Sequence, residues 1–290
     1  MNDLTASPAN NNFFSHALYV LRGNPITLMA FVLLGVILFV AIFGPALVPY
    51  DPLASNAAMA LQPPSAQHWF GTDTVGRDVF SRVIVATRLD LSISVAAVAL
   101  SCIVGAALGA AAGYWGGVID AVVGRMIDTI MAFPLFVLAM GIVAALGNTI
   151  ENIVYATAII NLPFYARVAR AEVQVRKMSG YAQAARLSGN TDFQVLTFHI
   201  FPNIVPAMMV QISLNMGWAI LNAAGLSFIG LGVRPPTPEW GIMVAEGANT
   251  IVSGEWWLAL FPGLALMITV FTFNLLGDGL RDIFDPRTRT

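Results

Sequence analysis

Six stretches of this 290-residue chain contain no Asp, Glu, Lys or Arg: residues 26–48, 91–119, 129–150, 152–166, 202–225 and 256–277. Five of them hold at least 22 residues, and roughly 20 apolar residues in an α-helix cross a bilayer core of about 30 Å. In lipid a single segment satisfies all its backbone N–H and C=O groups only as a helix. Only 10% of residues are charged and 57% are hydrophobic, whereas a soluble domain carries about 25% charged residues. Little length is left for a soluble domain. The expected fold is therefore an all-α membrane protein with six transmembrane helices. The fourth run, 15 residues long, extends toward Ala171, because the long stems of Arg167 and Arg170 can snorkel to the interface.

Orientation follows from the basic residues, since short loops rich in Lys and Arg stay in the cytoplasm. With the N-terminus inside, ten of the 14 basic residues are cytoplasmic and four, Arg77, Arg82, Arg88 and Arg234, are external. Both termini are then cytoplasmic. The chain divides into a cytoplasmic tail (1–24), a first span (25–49), a periplasmic segment (50–88), a five-helix core (89–280) and a short cytoplasmic tail (281–290). Residues Met1 to Asn12 are polar and lack a basic stretch before an apolar core, which is unlike a cleaved signal peptide; they are read as a disordered tail. Pro49, Pro52, Pro63 and Pro64, then Pro235, Pro236 and Pro238, stiffen the two external segments and disfavour regular elements there. Trp69, Trp240, Trp256 and Trp257 suit a membrane interface.

Inside the spans, Gly105, Gly109 and Gly113 recur every fourth residue among alanines. Such a stripe lets a second backbone approach closely where lipid offers no hydrophobic drive between helices. Gln211, Asn215, Trp218 and Asn222 fall within roughly a 60° arc at about 100° per residue. They either line a translocation path or hydrogen-bond between helices. Arg125 and Asp128, one turn apart, are expected to pair.

Several chemistries are excluded. The only lysine, Lys177, lies between Arg176 and Met178, so the Gly-Lys-Ser/Thr of a phosphate-binding loop is missing and ATP cannot be hydrolysed by this chain alone. His16, His68 and His199 are far apart, and the single cysteine, Cys102, lies in an apolar run and forms no intramolecular disulfide. Asp278 and Asp282 beside Arg281 read as solvated charge at a membrane exit. A net charge of −2 without a basic cluster argues against nucleic acid. No nucleophile and base pair or metal constellation marks an enzyme.

The internal segment 167–201 is the most informative. Ser179 can cap a short helix at about 180–189, Gly189 suits the left-handed residue that ends it, and Asp192 can cap the next helix, which leads through Pro202 into the fifth span. Tyr181-Ala-Gln-Ala-Ala-Arg-Leu-Ser-Gly189, followed by His199-Ile-Phe-Pro202-Asn203, resembles the EAA loop of binding-protein-dependent ABC importers. Gln183 stands where that loop usually has Glu, and Phe201 where it has Leu. Further segments, among them Gly71-Thr-Asp-Thr-Val-Gly-Arg-Asp-Val-Phe-Ser-Arg82, Gly113-Tyr-Trp-Gly-Gly117 with Asp120, and Pro235-Pro-Thr-Pro-Glu-Trp-Gly241, resemble the C-type permeases of the peptide and nickel branch.

The resemblance implies a type I importer fold in which Tyr181, Gln183, Ala184, Ala185, Gly189 and Pro202 belong to a coupling helix and its flank, docked on an ATPase. It also implies a second permease, two ATPase subunits that hold ATP and Mg, and a periplasmic solute-binding protein, all at the bacterial inner membrane. Di- or oligopeptides are the first expectation for the cargo, with nickel chelates, glutathione-like peptides or other small solutes as alternatives. A secondary transporter working without ATPases is the competing class; it usually places ionisable residues at mid-membrane and shows inverted repeats, neither of which is evident here.

Overall fold

The computed structural model describes residues 24–284. Of the expected tails, residues 1–23, Met1 to Asn12 and His16 included, and 285–290 lie outside the described residues, whereas 281–284, expected in the C-terminal tail, continue the last helix. The helices are α1 (Pro25–Leu47), α2 (Val79–Trp115), α3 (Gly117–Met131), α4 (Leu135–Leu146), α5 (Ile150–Arg176), α6 (Gly180–Leu187), α7 (Asp192–Phe228), α8 (Trp240–Ala248) and α9 (Trp257–Phe284). No strand occurs among the described residues.

Helices α1, α2, α7 and α9 are each long and apolar enough to cross a membrane. The third expected span, 129–150, is not one straight helix. Helices α3 and α4 meet at a bend of 88° and qualify as a span only together. Pro134 sits at the break as the residue ahead of α4, where its ring removes one backbone donor. Helix α5, the fourth expected span, runs 27 residues, but Glu151, Arg167, Arg170, Glu172 and Arg176 leave it short of the apolar character of the others. By length and apolarity the described residues hold four whole spans, and five if the bent pair counts as one.

The second span begins earlier than the charge-free run implies. Asp78 caps α2, its carboxylate accepting from the Ser81 amide at 2.8 Å, and Arg82 and Asp90 lie inside the helix, both buried. Those charges are tolerated because residues 49–78 and α8 fold over them as a cap. Arg82 Nη1 donates to the carbonyls of Pro52 (3.3 Å) and Pro236 (3.2 Å), and its Nε lies 3.6 Å from Asp73. Asp73 in turn takes Arg77 Nε at 2.5 Å. Buried charges persist when paired and hydrogen-bonded in this way.

Asp90 Oδ2 accepts the Trp240 amide at 3.1 Å and shares a side-chain hydrogen bond with Glu239, whose two carboxylate oxygens also accept the Gly241 and Ile242 amides. Trp240 and Trp257, expected at the membrane interface, are instead 1% and 6% exposed in the packing of this cap. Their indole N–H groups donate to the carbonyls of Val83 and Thr72. Trp69 and Trp256 do lie on the surface. Helix α8 forms despite the prolines before it, because Glu239 caps its first turn.

Below the cap, α2 and α5 are pressed together. A Cβ built on Gly105, Gly109 or Gly113 would lie 2.8, 2.1 or 2.6 Å from the carbonyl oxygen of Leu162, Ala166 or Arg170. The glycine stripe is thus the face on which α5 backbone rests. Helix α7 packs against α9, where Ser213 Oγ donates to the Phe273 carbonyl at 2.8 Å. Helix α1 lies outermost with Val36, Phe39 and Ile42 exposed, which suits a lipid-facing surface.

Candidate coupling surface and its anchors

The functional candidate lies at the end of the bundle opposite the cap, where α5 hands over to α6 and α6 to α7. Ser179 occupies the N-cap position of α6, but its hydroxyl donates backward to the Arg176 carbonyl at 2.6 Å and caps no α6 amide. Gly189 takes φ +88°, the left-handed conformation glycine adopts without strain. Thr191 caps the next helix in place of Asp192. It forms a reciprocal box with Gln194, its amide donating to Gln194 Oε1 at 2.8 Å and its hydroxyl accepting the Gln194 amide at 3.3 Å. The chain then passes through a π-helical turn, Val195–Ile200, immediately ahead of Pro202. Such single turns accommodate a local interruption of the α pattern, and Pro202 supplies one because it has no amide to return.

Helix α6 has two faces. Ala182 and Ala185 are buried against the bundle, while Tyr181, Gln183 and Ala184 are exposed. Leu187 is 90% exposed, with Met178 and Phe193 also outward. Large apolar side chains are thus outward at this end of the bundle, as on surfaces that contact a partner or a membrane. Gln183 turns its amide back along the chain, Nε2 donating to the Met178 carbonyl at 3.1 Å. A glutamate there has no donor for that bond while ionised, which gives the unusual Gln a local role. Of the residues the sequence suggests for coupling, Tyr181, Ala184 and Gly189 face outward, Gln183 holds the helix start, and Ala185 is a packing contact.

Side chains far away in sequence fix this segment. Tyr114 Oη donates to Asp192 Oδ1 at 2.7 Å and accepts from Arg186 Nε at 3.3 Å. The Arg186 guanidinium lies over the Tyr114 ring, 5.1 Å from its centre. Lys177 Nζ donates to the Gly113 carbonyl at 2.8 Å. Arg170 grips Asp120 with both Nε and Nη2, at 2.5 and 2.6 Å, the bidentate geometry that favours arginine. Asp128 approaches Arg167 on α5 at 3.5 Å. Among the described residues it makes no ion pair with Arg125, because α5 crosses beside α3. In the sequence Tyr114 and Leu187 stand only as members of the Gly113–Gly117 and Tyr181–Gly189 segments, and no local pattern marks either by itself.

The α7 stripe does not present one uniform face. Asn215 and Asn222 are 3% and 9% exposed, Gln211 is half-buried, and Trp218 is 65% exposed. Gln211 Nε2 donates to Asn215 Oδ1 at 3.1 Å, and Asn222 Nδ2 to the Trp218 carbonyl at 2.8 Å, so both bonds stay within α7. No group of three or more His, Cys, Asp or Glu is placed to hold a metal among the described residues.

Residues 105–290 match the family described as the binding-protein-dependent transport system inner membrane component, and residues 12–64 match the N-terminal TM domain of oligopeptide transport permease C. The chain is 43% identical over 269 residues to the probable D,D-dipeptide transport system permease protein DdpC of Escherichia coli, covering 93% of this chain and 90% of that protein. It is 39% identical to the dipeptide transport system permease protein DppC of Alkalihalophilus pseudofirmus, covering 93% and 88%. It is 42% identical to the glutathione transport system permease protein GsiD of Pectobacterium atrosepticum, covering 78% and 75%. With its multi-pass helices, its cap and its short outward helix between α5 and α7, the chain belongs to the family of binding-protein-dependent transport system inner membrane components.

Proposed function

We propose that this protein is one permease subunit of an ATP-driven importer for di- or oligopeptides, paired in the bacterial inner membrane with a second, homologous permease. One observation carries the coupling role. The two inward alanines of α6 tie it to the bundle, while Tyr181, Ala184 and Leu187 form a ledge beyond it. Two ATPase subunits bind ATP and Mg and use that ledge, which places α6 and both termini in the cytoplasm. The cap then faces the periplasm and receives the solute-binding protein. The dipeptide and glutathione names of the relatives support a peptide cargo. Closure of the ATPases shifts the bundle through the differential affinity of its two states for them.

The test is co-expression with the neighbouring subunits, purification through a C-terminal tag and reconstitution into liposomes. ATP-dependent, binding-protein-dependent uptake of a labelled dipeptide is expected. Ala184→Arg, an outward change that disturbs no core contact, is expected to release the ATPase subunits from the purified complex. Uptake without ATP, or retention of the ATPases by Ala184→Arg at the wild-type level, overturns the assignment.

A further inference from the structure

We infer that Tyr114 is the joint through which α6 moves α2, and that α2 carries this movement to the cap. The inference rests on the importer reading above and adds a route to it. Covalently, α6 is linked only to α5 and α7. The segment that holds α6 grips α2 by side chains at three points: Arg186 of α6 meets the Tyr114 hydroxyl and covers its ring, Asp192 at the start of α7 takes the same hydroxyl, and Lys177 at the end of α5 holds the Gly113 carbonyl, with the Tyr114 carbonyl 3.4 Å away. Carbonyls in the last turn of a helix lack intrahelical partners, so Lys177 satisfies groups that only an outside donor can reach. Tyr114 is 6% exposed, and the joint is packed as well as bonded.

From there α2 runs 37 residues without a proline, about 55 Å at the α-helical rise. The close approach of its glycines to the α5 backbone leaves no room for the two helices to slide independently. At its far end the cap holds it by Arg82 to Pro52 and Pro236, by Asp90 to the Trp240 amide, and by Trp240 Nε1 to the Val83 carbonyl at 3.0 Å. A displacement of Tyr114 therefore displaces the cap. Coupling between two sites is reciprocal, so a binding protein seated on the cap acts back on α6 by the same strut.

The experiment uses the whole reconstituted complex and measures the ratio of ATP hydrolysis with liganded binding protein to hydrolysis without it, alongside subunit stoichiometry and thermal midpoint. Tyr114→Phe keeps the ring under Arg186 and removes the hydroxyl; Asp192→Ala removes the acceptor from the other side. Each is expected to lower the stimulation ratio about fivefold or more, with subunits still assembled. The double variant is expected to lose less than the sum of the two single changes, since both break the Tyr114–Asp192 bond, although Tyr114→Phe also removes the acceptor of Arg186. A wild-type ratio in Tyr114→Phe overturns the inference, as does a loss that only follows lost assembly or a lowered midpoint, or losses that add in the double variant. Absence of stimulation in the wild-type complex, together with ATPase retention by Ala184→Arg, refutes the importer reading beneath it.

Discussion

Gly109→Ala adds one methyl group where α2 and α5 come closest. That carbon would sit 2.1 Å from the Ala166 carbonyl oxygen and 2.8 Å from two further Ala166 backbone atoms. Backbone atoms in a helix cannot swing aside as a side chain can, so the helices must part by about 1.3 Å to restore the 3.4 Å of ordinary contact. Parting them also loosens the contacts at Gly105 and Gly113. Overpacking of this kind costs about 1–3 kcal/mol, against a gain of about 1 kcal/mol from replacing glycine by alanine within a helix. Packing wins here, and the net loss should fall in the upper half of what remains, about 1–2 kcal/mol. Gly124 is the control, since nothing lies within 4 Å of a Cβ built on it and only the helix-propensity gain applies. After graded heating in detergent, the fraction that elutes as a single species should fall earlier for Gly109→Ala than for wild type, and no earlier for Gly124→Ala. Equal or later loss for Gly109→Ala would refute the reasoning that the glycine stripe is a backbone contact.

The cap supplies two further predictions. Arg82→Ala removes a cation that is 1% exposed and bonded to two carbonyls; breaking a buried ionic network from one side costs about 3–5 kcal/mol. Arg82→Lys keeps the charge but not the fork that spans Pro52 and Pro236, so its thermal midpoint should lie between the other two, and a wild-type midpoint for Arg82→Ala would sink the account. Burial pushes the Glu239 carboxyl above the ordinary glutamate range of about 4.3. A raised acid favours the folded state at low pH, so its contribution is intact below that range and is lost as pH rises through the raised value. Glu239→Gln forfeits one of the two amide bonds to the α8 N-terminus, yet its melting temperature should fall less steeply with rising pH than that of wild type. An unchanged slope would count against a shared proton between Glu239 and Asp90.

The onset of α2 and the break between α3 and α4 were not legible in the sequence, for different reasons. A search for charge-free runs starts the second span at residue 91 and so excludes Arg82 and Asp90. Both belong to the helix because partners from residues 52, 73, 236 and 240 bury them, and no local pattern contains those partners. The uncharged run 129–150 reads as one span because hydropathy carries no information on direction, whereas the 88° bend depends on what each half packs against. Trp240 and Trp257 fit an interface belt by residue type and a core by neighbourhood, and the neighbourhood decided.

The sequence by itself determined the membrane environment, the helical class, the glycine stripe and the short helix ended by Gly189, because each depends on residues close together along the chain. It also carried the family resemblance. Only the tertiary structure decided which face of α6 is available, since Ala184 and Ala185 are neighbours of like chemistry and differ solely in what the bundle covers. In the same way Asp192 reads as a helix cap in one dimension. In three dimensions Thr191 caps the helix and Asp192 turns to Tyr114, 78 residues earlier in the chain. Hydrogen-bonding groups take partners wherever folding brings them within about 3 Å, and sequence distance does not limit that choice.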